Sequence, residues 1–471
     1  MPAAGRRSNS SAARNSRAKR SPRAASAPAR AQPLEHRILL TATLCLLAFG
    51  AVMVYSSSSA SSLLQGKGSG TAYLLKFVVY GALGLLVMRV LARDGVARVQ
   101  SLVGPLLAVS FVLVLAVHIP HVGVTVNGAR RWLGSGPLQF QPSELLKLAL
   151  VLYSAALLAR RPQRVHDLRE LSKPLLAVVG CACLLVATQP DIGTAMVIAF
   201  TSCALLVAAG IPLRNLAIIG GSAFALVALY AIVKPYARAR LTSFIDPWAH
   251  ASSSGFQAVQ GQIAIGSGGL FGVGPGESVQ KIFYLPEAHT DFILAVVGEE
   301  LGVVGVSALL FLYGLIAYAG LRAAKAARSL HSALLAVGLT ALIVSQAILN
   351  VFAVLGLAPL TGVPLPLVSY GSSSLIVTLA AMGLLLNVAS GGTAHVRAVA
   401  PRQRRRSPAA AAGERAPARG EASAKRRVAD ASAREQARWD RERSSDEDRD
   451  SRRGNGRARG AGARGGRRAA R

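Results

Sequence analysis

Ten apolar runs divide the middle of the chain: 38–54, 73–91, 102–119, 145–158, 175–187, 192–209, 216–233, 292–319, 334–355 and 375–388. A helix needs about 20 apolar residues to cross a bilayer, and most runs meet or approach that length. The shorter ones extend through small flanking residues. Hydrocarbon leaves no partner for a free backbone amide, so each run predicts a helix. The expected fold is an all-α polytopic membrane protein with about ten transmembrane helices. A long extracytoplasmic loop separates spans seven and eight.

Polar sequence flanks these runs. Residues 1–37 are rich in Arg, Ala, Ser and Pro; residues 391–471 are similar, with acids added around 446–450. Neither segment has the apolar content to bury a core, so both predict disordered basic tails around a membrane domain at 38–390. Composition agrees: 52% hydrophobic residues beside a net charge of +31 suit a membrane protein with basic tails, not a soluble one. Such tails point to anionic membrane lipids and topology control rather than to nucleic acid. Cys45, Cys181, Cys183 and Cys203 all fall inside predicted spans, so neither a disulfide framework nor a zinc pattern is implied. A cleaved signal peptide is not expected, because nine further apolar runs follow the first.

Arg and Lys collect on the cytoplasmic side of a membrane. With the basic N-terminus inside, the even-numbered turns are inside too, and they carry Arg93, Arg98, Arg160, Arg161, Arg214, Arg322, Lys325 and Arg328. Ten spans return the C-terminal tail to the same side, so both termini are expected to be cytoplasmic. The outer cations break the rule. Arg130 and Arg131 sit beside Trp132; Lys234, Arg238, Arg240 and Lys281 lie in the long outer loop. Headgroup anchoring would account for them. Their clustering favours an anionic ligand, since Arg suits bidentate phosphate recognition. The loop also holds a Gly-rich stretch at 266–276, but its spacing matches neither the dinucleotide fingerprint nor the P-loop. No metalloprotease helix or G-x-S-x-G elbow is present.

Ionisable residues at hydrocarbon boundaries are costly unless binding or chemistry uses them. Glu144 and Lys147 share a helix face, as an intrahelical pair or as the lining of a wet cavity. Asp191 precedes the sixth span and suits an N-cap. Glu299 and Glu300 enter the eighth span, where two lipid-facing carboxylates would be prohibitive; a structural or gating role is expected. Asn350 suits interhelical hydrogen bonding. The 356–366 turn, with its prolines and glycines, suits an irregular segment packed against protein. The densest cluster is Leu285-Pro-Glu-Ala-His-Thr-Asp-Phe292, which sets Glu287, His289 and Asp291 at the edge of an apolar run. Each has a bland reading, as a solvated acid, an interfacial histidine and a helix cap. Asp291 stands out, because a carboxylate near cations for an anionic leaving group serves as a general base.

Several separated motifs together resemble the SEDS (shape, elongation, division and sporulation) membrane glycosyltransferases of bacterial cell-wall synthesis. They are Gly128-Ala-Arg-Arg-Trp132, Gln141-Pro-Ser-Glu-Leu-Leu-Lys147, Gln189-Pro-Asp-Ile-Gly-Thr194 and Arg240-Leu-Thr-Ser-Phe-Ile-Asp-Pro247, then 285–292 and Thr361-Gly-Val-Pro-Leu-Pro366 with Ser369-Tyr-Gly371. They run in family order across 38–390. The 285–292 motif is most similar to the cell-division branch, with the elongation branch close behind. Ser372 departs from the usual second glycine, which leaves the backbone of that turn open.

The resemblance implies polymerisation of lipid II on the outer face of the bacterial cytoplasmic membrane, at the division septum. A GlcNAc 4-hydroxyl would attack the donor's anomeric carbon and undecaprenyl pyrophosphate would leave. It implies Asp291 as the essential carboxylate, and Arg131, Glu144, Lys147 and Asp191 around the central cavity. Arg240, Glu287 and His289 join them as expected substrate contacts. A divalent cation, Mg or Mn, is a further expectation that no sequence pattern establishes. So are a class B penicillin-binding protein transpeptidase and other division proteins as partners. Two other classes stay open: a transporter that flips the lipid-linked precursor, and a scaffold that recruits partners through its tails.

Overall fold

The computed structural model describes residues 33–391, except 65–69, 127–128, 135–138, 163–166, 168–169, 171–174 and 283–284. The tails expected to be disordered, 1–37 and 391–471, lie outside the described residues apart from 33–37 and Gly391. The first helix already begins at Leu34.

The described chain is built from helices α1 (Leu34–Leu64), α2 (Ala72–Ala116), α3 (Pro142–Arg160), α4 (Ala177–Ala187), α5 (Ile192–Ala208), α6 (Leu213–Val233), α7 (Pro235–Ile245), α8 (Phe256–Gly268), α9 (Ile293–Ala326), α10 (Leu330–Val354) and α11 (Ser372–Ala389). Strands β1 (Gly123–Val126) and β2 (Ala129–Leu133) form an antiparallel hairpin between α2 and α3. Eight helical segments are long and apolar enough to cross a membrane, and α4 and α5 are shorter apolar helices. Together they coincide with the ten runs in the sequence.

Helix α2 supplies two of those spans, Ala72–Arg93 and Gly95–Ala116. Its 45 residues would extend roughly 68 Å if straight, about twice the hydrocarbon thickness. Contacts with α11 show where it turns. Leu379 packs at Gly84 and Met88 at Gly383, but past position 94 the order reverses and Leu384 meets Gly95. At the turn, the Asn387 side chain donates to the carbonyls of Ala92 and Arg93 at 2.9 and 2.6 Å. One amide group thus satisfies acceptors that a helix end leaves free.

Helix α11 is the hub: nearly every residue from Ser373 to Ala389 is buried. Helices α3 and α10 pack around it. Helix α6 is the opposite case, apolar all round with no buried residue, as suits a span bathed in lipid. Two polar layers bracket the slab. Arg322 pairs with Glu35 at 3.2 Å on one side. On the other, Ser56 of α1 donates to both Glu300 carboxylate oxygens at 2.6 and 2.8 Å. Along α1 these layers are about 32 Å apart, close to the thickness of the hydrocarbon core.

The long outer loop is not structureless. It contains α7, a single 3-10 turn at Trp248–His250, and α8 packed along the start of α9. Helix α9 is broken at Gly302, whose φ of 65° and ψ of −161° leave the helical region. An unbroken helix would join the Val303 amide to the Glu299 carbonyl, and Val304 to Glu300. Instead the segment after α8 supplies all four partners. Val303 and Val304 donate to the carbonyls of Gly269 and Leu270 at 3.0 and 3.2 Å; Val273 and Gly274 donate to those of Glu299 and Glu300 at 2.9 and 3.1 Å. The helix break and the loop complete each other.

The two acids beside the break are engaged as well. Glu299 accepts from the Ser278 hydroxyl and the Val279 amide. Glu300 pairs with Lys281 at 2.8 Å, both buried. Lys281, expected among the outer cations for an anionic ligand or a headgroup, is therefore an internal counter-ion: so near the membrane, its charge is stabilised best by the carboxylate it meets.

Gly302→Ala should lower the thermal unfolding temperature in detergent, because the new Cβ would lie 2.5 Å from the Gly272 amide nitrogen and the Leu270 carbonyl oxygen. Lys281→Met should destabilise by about 3–5 kcal/mol by leaving a buried carboxylate unpaired. The double variant Lys281→Met/Glu300→Leu should recover most of that loss in the same unfolding measurement.

Candidate active site

The turn before α9 aims Asp291. Glu287 takes a left-handed φ of 56°, and its carbonyl receives the amides of Thr290 and Phe292 at 3.1 and 3.4 Å. The Thr290 hydroxyl donates to the Glu287 carboxylate at 2.9 Å. Phe292, not Asp291, occupies the cap position of α9, so the bland reading of Asp291 as a helix cap does not hold. Asn350 of α10 fixes this turn from beneath, donating one amide hydrogen to the Asp291 carbonyl at 2.7 Å and the other to the Val363 carbonyl at 2.8 Å.

Four of the expected residues converge electrostatically on Asp291: Arg131, Asp191, Arg240 and Glu287. Each is held by its own element. Asp191 caps α5, accepting from the Thr194 amide at 3.2 Å and its hydroxyl at 2.9 Å. Arg131, on β2, donates to the carbonyls of Gln189 and Pro190 and lies 3.8 Å from Asp191. Arg240, on α7, donates to the Leu360 carbonyl at 2.7 Å. The hairpin and the outer loop thus bring two guanidiniums to one carboxylate.

Asp291 is half-buried, yet its carboxyl group is ringed by protein. Burial and then the Glu287 charge push this carboxyl up, Arg131 and Arg240 pull it back, Asp191 adds a little to the rise, and the balance leaves it at about 7. A carboxyl balanced near neutrality can take and release a proton under ordinary conditions.

The other expected residues lie further out. His289 packs its ring against Tyr73 at 4.5 Å and Tyr370 at 5.8 Å. Its carbonyl accepts from the Tyr370 amide at 2.9 Å. Burial lowers its pKa, against the opposing pull of Glu287, so it serves this turn as a neutral ring. Glu144 and Lys147 are each 2% exposed and pair with one another at 2.9 Å. Their side chains reach the site through Gln346, which accepts from Lys147 at 2.9 Å and donates to the Pro364 carbonyl at 3.2 Å. At Ser372 the backbone needs no positive φ, and its hydroxyl donates to the Gln139 carbonyl at 3.1 Å.

Two hollows meet here. A cleft of about 290 Å³ is lined by Arg240, Phe244, Ile245, Trp248 and Leu360, among others. Arg240 and Leu360 also line a chamber of about 20 Å³ that contains Asp291, Asn350, Thr361 and Gly362. Asn350 and Thr361 had no assigned chemistry in the sequence. A lone Asn in an apolar helix and a Thr opening a Gly-Pro turn were the signals available.

Among the described residues no cluster of three or more His, Cys, Asp or Glu side chains is placed to hold a metal ion. The charges of Arg131 and Arg240 already act on Asp291, in competition with any cation. The described residues alone therefore do not assemble a ligand set for the expected Mg or Mn ion.

Comparison with known proteins gives a consistent picture. The family model for FtsW, RodA and SpoVE cell cycle proteins matches residues 37–393. Probable peptidoglycan glycosyltransferase FtsW of Thioalkalivibrio sulfidiphilus is 43% identical over 354 residues, 74% of this chain and 88% of that one. Stage V sporulation protein E of Bacillus subtilis is 37% identical over 354 residues, 74% and 96% of the two chains. Among solved structures, a chain from a study of how a peptidoglycan synthase complex coordinates polymerization and crosslinking is 33% identical. It superimposes with a TM-score of 0.63 over 76% of this chain and 98% of that one. Rod shape determining protein RodA of Thermus thermophilus is 32% identical, with a TM-score of 0.55 over 76% and 97%.

Because the folded Asp291 carboxyl resists ionisation until about pH 7, its contribution to stability is full below the ordinary carboxylate range and is lost as pH rises through about 7. Asp291→Asn removes that loss. In thermal unfolding it should be more stable than the unmodified protein at about pH 8, with the gap closing as pH falls toward about 4. A gap independent of pH would place the carboxyl in an ordinary environment.

Proposed function

The chain belongs to the FtsW, RodA and SpoVE family of cell cycle proteins, and from that membership and the surroundings of Asp291 we propose the reaction it performs. It is a membrane peptidoglycan glycosyltransferase of the cell-division type that polymerises lipid II into glycan strands. The observation that carries the chemistry is Asp291, a carboxyl in the chamber that Arg240 also lines, which burial and neighbouring charges bring to about 7.

The acceptor's GlcNAc 4-hydroxyl approaches Asp291, whose carboxylate takes the proton as the oxygen bonds to the donor's anomeric carbon. The bond from that carbon to the phosphate oxygen breaks, and undecaprenyl pyrophosphate leaves with the electron pair. Arg240, on the wall of the cleft, and Arg131 supply positive potential where negative charge develops. Asp191 holds the Gln189–Asp191 turn that docks Arg131. Glu144 and Lys147 brace the 361–366 segment from beneath through Gln346. Glu287 shapes the Asp291 turn and raises its basicity.

Placement follows the same reading. The reaction sits at the outer face of a bacterial cytoplasmic membrane, with both termini cytoplasmic, at the division septum. The partner is a class B penicillin-binding protein that cross-links the nascent strand. The likeness to a chain from a peptidoglycan synthase complex supports it.

Purified protein with its coexpressed transpeptidase partner should polymerise lipid II, and Asp291→Asn should slow this by about 100-fold or more, the usual contribution of a positioned base. Equal rates would remove Asp291 from the chemistry. Lipid II crossing a bilayer without polymerisation by either protein would favour a transporter.

A further inference from the structure

The glycosyl-transfer reading leaves two atoms unexplained. Asn350 Oδ1 and Thr361 Oγ1 are buried side-chain oxygens with no hydrogen-bond partner among the described residues. Asn350 is 2% and Thr361 4% exposed. The orientation of the Asn350 amide is not in question, because both its hydrogens are committed to the carbonyls of Asp291 and Val363. Its oxygen must point elsewhere, as an acceptor that needs a donor. An unpaired buried oxygen is costly, so such a pair beside a reacting group calls for a ligand.

Both residues line the small chamber that also contains Asp291. Its volume of about 20 Å³ admits a single oxygen atom and little more. Gly362 keeps the wall open: its φ is 68°, and a Cβ there would lie 3.3 Å from Asp291 Oδ2. A hydroxyl group meets these conditions, and a water would meet them only as a placeholder for it. A hydroxyl has one hydrogen to give to Asn350 Oδ1 and lone pairs to receive the Thr361 hydroxyl hydrogen, so it satisfies both atoms at once.

We propose that Asn350 and Thr361 form a seat for one hydroxyl of the acceptor sugar, the neighbour of the hydroxyl that Asp291 deprotonates. This rests on the glycosyl-transfer reading above. A sugar carries hydroxyls on adjacent carbons, so an acceptor with its attacking oxygen at Asp291 presents the next one to the chamber. The seat then does two things. It fixes the rotation of the acceptor ring, which aims the attacking oxygen. It also rejects acceptors that lack the neighbouring hydroxyl, because they would leave two buried oxygens unpaired. Asn350 further ties the seat to the base, since the same side chain holds the Asp291 backbone.

The test uses the protein with its coexpressed partner, natural lipid II, and two lipid II analogues lacking the 3-hydroxyl or the 6-hydroxyl of GlcNAc. With natural lipid II, Thr361→Val should lower kcat/KM at least about tenfold, and Thr361→Ser should restore it. The unmodified protein should show a similar loss on the analogue lacking the 3-hydroxyl, the group on the carbon next to the attacking oxygen, and little loss on the one lacking the 6-hydroxyl. On the 3-deoxy analogue Thr361→Val should cause no further loss. That coupling separates a contact with substrate from a structural role, and the analogue result stands even if the variant folds poorly. Equal rates of the unmodified protein on all three substrates would overturn the seat, leaving the two oxygens to a buried water. So would losses from substitution and analogue that multiply independently. If the unmodified protein makes no glycan from natural lipid II, the glycosyltransferase reading itself fails, and the seat with it.

Discussion

Hydrocarbon does not solvate backbone amides or charges, and this chain places both at the edge of it. The break at Gly302 is where the constraint bites hardest. It frees two amides and two carbonyls in the middle of α9, and the segment 269–274 returns a partner to each of the four. Glu299 and Glu300, on the same turn, hold the following residues through Ser278, Val279 and Lys281. The stretch leading back to Glu287 and Asp291 is therefore anchored to the helix it precedes. That reciprocity, with the Lys281–Glu300 pair and the Arg240 bond to Leu360, fixes the outer loop on the membrane core.

The site inherits its properties from this anchoring. Asp291 stands at the mouth of α9, held by Asn350 from α10, while Arg131 and Arg240 arrive from the hairpin and from α7. Electrostatics and packing pull in opposite directions there. Burial and two neighbouring acids disfavour the carboxylate; the two guanidiniums restore it part of the way. The balance leaves a group that is neither a fixed anion nor a fixed acid. That condition is unfavourable for folding and useful for moving a proton.

Much of this was legible in the sequence, for reasons of period and charge. The ten apolar runs located the spans because hydrocarbon thickness sets their length, and Asp191 was recognisable as a cap because a carboxylate before an apolar run has free amides to satisfy. Asp291 drew attention as an acid at a membrane edge. Other features were hidden because they depend on contacts distant in sequence. Lys281 read as an outer cation, and only its proximity to Glu300 shows it to be internal. Nothing in the apolar run 292–319 distinguishes Gly302 as the site of a helix break. Asn350 read as interhelical glue, yet its two donated hydrogens go to the Asp291 turn and to Val363, neither of them helical. Its third polar atom, the unpaired oxygen, is invisible until the fold places it beside Thr361.

The central claim is that a carboxyl tuned by its surroundings carries the chemistry. The most direct test is the pH dependence of glycan polymerisation under single-turnover conditions, in the unmodified protein and in Arg131→Gln. The account predicts a rate that rises as Asp291 ionises, with a midpoint of about 7, displaced to higher pH once the Arg131 charge is gone. A rate flat from about pH 5.5 to 8.5, or a midpoint that Arg131→Gln leaves in place, would contradict it.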